Sequence, residues 1–167
     1  MTASAPWSHC VVVSEIPQAG LAIDLVADVE RRAALAAHCG LASVEEARAT
    51  LLVTRRGRDG ARVKGALHAK AHQICVVTLE PFPTTIVETI DVEFAPVATR
   101  GPAVEGAEGP DPIIGGKVDV GALVVEFLAL GIDPYPRKPG ARYAAPDDPA
   151  ADASPFSALK AAKPRPK

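Results

Sequence analysis

Residues 62–72, Arg62-Val63-Lys64-Gly65-Ala66-Leu67-His68-Ala69-Lys70-Ala71-His72, decide the fold. Val63, Gly65, Leu67, Ala69 and Ala71 alternate with Arg62, Lys64, His68, Lys70 and His72. Successive side chains of a strand point to opposite faces, so this period of two predicts a strand with one dry and one wet face. The period continues on both sides. Leu51 and Val53 alternate with Thr50 and Thr54, while Ile86, Ile90, Val92 and Phe94 alternate with Thr89, Asp91 and Glu93. An antiparallel meander over 48–94 is expected, broken at 57–60.

The pattern also constrains the first hairpin. A two- or four-residue loop would put Leu51 and Val53 on the face carrying Lys64 and His68. A three-residue loop, Arg58-Asp59-Gly60 with Gly60 left-handed, pairs Thr54 with Lys64 and Leu51 with Leu67. That register keeps apolar with apolar and is the expected one.

Outward from the meander, Trp7 to Val13 reads as a strand, with a turn near Pro17 and Gly20. A helix is expected over 27–39, with Val29, Ala33, Ala36 and Ala37 dry, Glu30, Arg31 and Arg32 wet, and Gly40 as its stop. Ser43 and Glu46 have capping-box spacing, but the helical pattern ends within a turn, so a short turn is expected there. Asp119 is placed to cap a second helix over 120–130. Its apolar residues Leu123, Val124, Phe127, Leu128 and Leu130 suit packing on the sheet better than docking a partner, and Gly131 ends it.

The chain has 167 residues, enough for one domain. It is 48% hydrophobic but only 4% aromatic, so the core is expected to be Val, Leu, Ile and Ala. No run reaches the ~20 apolar residues of a membrane span, and Met1 to Trp7 lacks a signal-peptide pattern. Three cysteines, an odd count, fit a reducing cytoplasm. Of sixteen prolines, twelve lie from Pro96 onward. Residues 95–116 are expected to form a mobile loop, and residues 141–167 a Pro-rich, basic, disordered tail. The expected fold is α+β: residues 1–140 form one domain, an antiparallel sheet of four to six strands, open or barrel-like, packed by two helices.

Four segments carry a family resemblance. They are Cys75-Val76-Val77-Thr78-Leu79-Glu80-Pro81, then Val118-Asp119-Val120-Gly121-Ala122-Leu123-Val124-Val125-Glu126, then Asp133-Pro134-Tyr135-Pro136-Arg137-Lys138-Pro139-Gly140, and Pro155-Phe156-Ser157-Ala158-Leu159-Lys160. In order and spacing the chain resembles the YceD family of bacterial large ribosomal RNA subunit accumulation proteins from about Trp7 to Lys160. The resemblance implies a role in accumulation of large-subunit ribosomal RNA and, since the family has no established catalytic activity, no catalytic residues. Many members carry Cys-x-x-Cys where this chain has Cys75-Val76-Val77-Thr78, and further cysteines near 134–140. This chain keeps Cys75 alone, so the resemblance implies no zinc-ribbon-like site here.

The residues themselves agree. Cys10, Cys39 and Cys75 are far apart and none has a Cys-x-x-Cys partner, so no metal is expected. His68 and His72 share a strand face at ~14 Å, too far to chelate one ion. Gly115-Gly116-Lys117 lacks the earlier glycine and the following Ser or Thr of a phosphate loop. Ser4 and Ser8 sit in no nucleophile elbow, and Glu80 before Pro81 reads as a solvated turn residue. No cofactor is expected.

Charge is more informative. The totals, 18 basic and 20 acidic, nearly cancel. Yet Arg55, Arg56, Arg58, Arg62, Lys64 and Lys70 face only Asp59 between 55 and 72, whereas 80–119 carries eight acidic residues against Arg100 and Lys117. A basic strand face ~34 Å long is expected to bind RNA phosphates or an assembly partner. The candidate binding residues are Arg55, Arg56, Arg62, Lys64, Lys70, Arg137, Lys138, Phe156, Leu159, Lys160, Lys163 and Arg165. Phe156 and Leu159 have the form of a short docking motif. A scarcity of exposed aromatics argues against base-specific RNA recognition. The expected protein is a non-enzymatic cytoplasmic factor that binds ribosomal RNA or large-subunit assembly proteins, with no membrane partner. The alternatives are a ligand-binding or enzymatic domain on the concave sheet face, or an adaptor docking through its tail.

Overall fold

A computed structural model describes residues 6–96 and 109–143. In chain order the elements are β1 (Cys10–Val12), a single 3-10 turn (Val13–Glu15), β2 (Leu21–Val26), α1 (Val29–Cys39) and β3 (Ser43–Arg56). Then follow β4 (Gly60–Ile74), β5 (Pro81–Pro96), β6 (Asp111–Ile113), β7 (Lys117–Asp119) and α2 (Val120–Leu130). The main sheet has the order β2-β3-β4-β5-β6, antiparallel except for the parallel β5–β6 edge, and β1 pairs with β7 in a separate small sheet. The sheet is open, with β2 and β6 at its edges, rather than barrel-like.

The meander is present, and its first hairpin needs one correction. Arg56 pairs with Gly60, Thr54 with Arg62 and Leu51 with Gly65, two residues off the expected register. The loop has three residues, but they are Gly57, Arg58 and Asp59, and Gly57 takes the left-handed conformation at φ 61°. Apolar matching fixes only the parity of a register, so it cannot separate two registers that differ by two.

Two further expectations change. Ser43 to Glu46 begins β3 rather than making a turn. Glu45 is bulged between the pairs Val44–Ala71 and Glu46–Lys70, and this extra residue breaks the alternation that would have marked the strand. Part of the expected 95–116 loop is strand instead, because β5 runs to Pro96 and β6 occupies 111–113. Residues 97–108 and the tail beyond 143 lie outside the described residues.

Both helices cover the dry face. Asp28 caps α1 by accepting from the Arg31 N–H at 2.8 Å. The helix packs on β3 through Leu35 and Ala36, leaving Val29, Ala33 and Ala37 exposed, against expectation. Alanines are too small to fix the phase of a helix, and Leu35 decides it. Helix α2 packs on β4 and β5 with Val120, Leu123, Val124, Val125 and Leu128 buried, while Leu130 is exposed. Leu35, Leu51, Leu67, Ile90 and Leu128 are fully buried, each contributing about 2 kcal/mol. Gly65 lets β3 approach, since a Cβ there would overlap the Thr50 carbonyl oxygen and lie 2.9 Å from Leu51 Cα.

Candidate functional site

The exposed face of β4 carries its cations as the alternation requires, and neighbouring strands answer them. Arg62 donates from Nε and Nη2 to both carboxylate oxygens of Asp91 at 2.7 and 2.8 Å, and its Nη1 lies 3.2 Å from Glu93. Lys64 Nζ is 3.4 Å from Asp91, Lys70 Nζ is 3.1 Å from Glu46, and Arg56 Nε is 3.8 Å from Glu93. Arg62 therefore holds the Asp91 carboxyl down to about 2. Lys70 likewise lowers Glu46. The expected basic face is a mixed-charge ladder. The period of two puts Asp91 and Glu93 on one face of β5, but only the β4–β5 register sets them opposite Lys64 and Arg62.

The unpaired cations sit at the ends. At the β3–β4 tip, Arg55 and Arg58 are exposed with no carboxylate partner among the described residues, and Arg55 Nη2 donates to the Arg58 carbonyl at 3.2 Å. Arg137 and Arg142 are equally exposed and unpaired among the described residues at the other end of β4. Fourteen residue steps of β4 set these ends about 46 Å apart. Lys138 is paired, its Nζ 2.9 Å from Glu80, which raises its pKa.

That second end is built around Cys75. Its side chain is fully buried, and Sγ accepts the N–H groups of Val77, Thr78 and Lys138 at 3.4, 3.4 and 3.3 Å. The Thr78 hydroxyl leads these donors in favouring the thiolate and, against the cost of burial, brings the thiol down to about 6. Val76 N–H donates to the Pro136 carbonyl at 2.9 Å, so the turn after β4 grips residues 136–138. Around this anchor Leu79 is 75% exposed with φ 58°, a costly conformation for a residue with a Cβ. Tyr135 and Tyr143 are 74% and 75% exposed, which corrects the expected scarcity of exposed aromatics.

Other candidates disperse. Among the described residues no three His, Cys, Asp or Glu side chains are grouped to hold a metal ion. His72 Nδ1 is 3.1 Å from Ser43 Oγ, Cys10 is exposed, and burial raises the Cys39 thiol. Gly115 and Gly116 close the turn between β6 and β7, where Ile114 bridges to Lys117. Phe156, Leu159, Lys160, Lys163 and Arg165 lie outside the described residues. No described helix is long and apolar enough to cross a membrane.

A family model described as large ribosomal RNA subunit accumulation protein YceD matches residues 63–162. No curated protein and no solved structure matches the chain. The matched stretch takes in nearly all of β4, then β5, α2, the Cys75 turn and the Tyr135–Gly140 segment, and it exceeds half of the sequence. The chain belongs to the YceD family, whose name ties it to accumulation of large-subunit ribosomal RNA.

Proposed function

We propose that this chain is a non-catalytic cytoplasmic factor that supports large-subunit ribosomal RNA accumulation by contacting RNA phosphates directly. The observation that carries this is the set of four exposed guanidinium groups, Arg55, Arg58, Arg137 and Arg142, left without carboxylate partners among the described residues. A cation already answered by a carboxylate adds little to the field that attracts RNA, so Arg56, Arg62, Lys64 and Lys70 are secondary contributors. Lys138, paired to Glu80, is secondary for the same reason. The dry sheet face, filled by the two helices, supports a binding role over a ligand chamber. In the tail, Lys160, Lys163 and Arg165 would add phosphate contacts.

A second reading, contact with a large-subunit assembly protein, is favoured by Leu52 and Val87, which are exposed amid the ladder. Phe156 and Leu159 would serve that contact as a docking motif.

Binding of the full chain to large-subunit RNA across a salt series tests the proposal. Four phosphate contacts give a log–log slope of about −3 on single-stranded regions. Arg55→Glu with Arg58→Glu should weaken binding, while Lys64→Gln with Lys70→Gln should change it little. Absence of salt-sensitive binding overturns direct RNA contact, and RNA-independent capture of a ribosomal protein would then support the second reading.

A further inference from the structure

The segment Tyr135-Pro136-Arg137-Lys138-Pro139-Gly140-Ala141-Arg142-Tyr143 has a composition found nowhere else in the described residues. Two exposed tyrosines bracket three cations, and no acidic residue interrupts them. We infer that this segment is a seat for single-stranded RNA, with Tyr135 and Tyr143 stacking on bases while Arg137 and Arg142 neutralise phosphates. It deepens the RNA-contact reading above and rests on it.

Three observations support the seat. First, the rings are displayed rather than packed. A ring three-quarters exposed offers its π-face to any base, whereas a duplex, whose bases are stacked on each other, has none to give. Second, the backbone beneath them is fixed in advance. Pro134 and Pro136 flank Tyr135, whose N–H donates to Asp133 Oδ1 at 2.9 Å. The Pro136 carbonyl accepts from Val76, the Lys138 N–H is tied to Cys75 Sγ, and the Ala141 N–H donates to the Lys138 carbonyl at 3.0 Å. Little conformational freedom is left to lose on binding at 135–138. Third, the charges are sorted. Glu80 engages Lys138 at 2.9 Å, and neither arginine has a carboxylate partner among the described residues, which leaves both for phosphate.

The occupant is RNA rather than an apolar protein surface because the two aromatic rings here flank guanidinium groups. Guanidiniums match phosphate in two-pronged fashion and can stack on bases themselves.

The test uses the full chain and a labelled single-stranded oligoribonucleotide of about 12 nucleotides, with a duplex of the same sequence as control. Single strand should bind more tightly than duplex. Tyr135→Ala and Tyr143→Ala should each weaken single-strand binding about tenfold, since one stacked base is worth that order. Tyr135→Phe and Tyr143→Phe should bind as the parent does, because stacking needs the ring and not the hydroxyl. Both positions are solvent-exposed, so unaltered melting of the variants is expected and confirms that loss of binding is local.

Several results overturn the inference. One is equal affinity for single strand and duplex. Another is single-strand affinity unmoved by the alanine variants. A third is capture of a ribosomal protein through these tyrosines with no affinity for the oligonucleotide. If intact large-subunit RNA still binds with salt sensitivity while the oligonucleotide does not, this seat is wrong and phosphate contact survives. If neither RNA binds, both fail.

Discussion

The backbone N–H of Lys138 donates to Cys75 Sγ at 3.3 Å, across 63 residues of chain. With the Val77 and Thr78 N–H groups it surrounds one buried sulfur by three backbone donors. Donors aimed at sulfur favour its anion, so ionisation of Cys75 strengthens the hold on residues 136–138 against the turn after β4.

Cys75 therefore makes stability depend on pH. Its folded pKa, about 6, lies below the 9.0 of an unperturbed thiol. Between these values the unfolded chain binds more protons than the folded one, so stability rises with pH across that window. The contribution is complete above the unfolded pKa and is lost as pH falls through about 6. Denaturant midpoints measured from pH 6 to 9 should climb in the parent, and Cys75→Ser should lower and flatten that climb. An equal slope in the two proteins would mean that the folded protein holds the thiol.

Gly65→Ala tests the close approach of β3 and β4. An added Cβ would overlap the Thr50 carbonyl oxygen, which belongs to a ladder and cannot swing aside. A cost of about 3 kcal/mol is expected, at the upper end for overpacking, read from chemical denaturation. Gly109→Ala, where a Cβ meets nothing within 4 Å, should be near neutral. A mild Gly65 variant would imply that the two strands separate easily.

Asp119 ties the N-terminal segment to α2. Its Oδ1 accepts from Gly121, Ala122 and His9 N–H groups at 3.0, 3.0 and 2.8 Å, and Oδ2 accepts from Ser8 Oγ at 2.6 Å. Burial opposes its ionisation, but Ser8 and these N–H groups outweigh burial and keep the carboxyl below its ordinary range. Asp119→Ala should cost about 2 kcal/mol, the high end for a lost N-cap, and should expose the amides of 8–10 to hydrogen exchange. Because the folded pKa is depressed, the Asp119 contribution stands at neutral pH and disappears on acidification. Exchange at 8–10 unchanged in the variant would show that β1 is held by its pairing with β7 alone.

Why some of this was legible and some was not follows from the ranges of the forces involved. Alternation around Leu67 reports burial on one face, a local property, so the strands and the dry face could be read directly. The β3–β4 offset could not, because Leu51 opposite Gly65 and Leu51 opposite Leu67 satisfy the same parity. The Glu45 bulge hid the start of β3, and Val29, Ala33 and Ala37 mimic a buried stripe that Leu35 overrides. Arg62 and Asp91 are 29 residues apart, so their pairing needs the register of two strands before it becomes visible. The exposure of Tyr135 and Tyr143 follows from the Cys75 anchor, which no periodicity announces.

Arg62 and Asp91 provide the sharpest test of the charge ladder. Their bidentate contact, with Glu93 at 3.2 Å and Lys64 at 3.4 Å from the same pair, makes a four-residue network on one face. Arg62→Glu places a carboxylate among Asp91 and Glu93, and like charges facing each other across strands repel. Its melting temperature should drop, and more at low salt than at high salt, because exposed charges are screened. Asp91→Arg alone should also lower it by facing Lys64. The double swap, Arg62→Glu with Asp91→Arg, restores one opposite-charge pair and should recover part of the combined loss. RNA affinity should change little in all three if the unpaired arginines at the strand ends carry binding. A large loss of RNA affinity in a well-folded Arg62→Glu protein would instead move phosphate contact onto the sheet face.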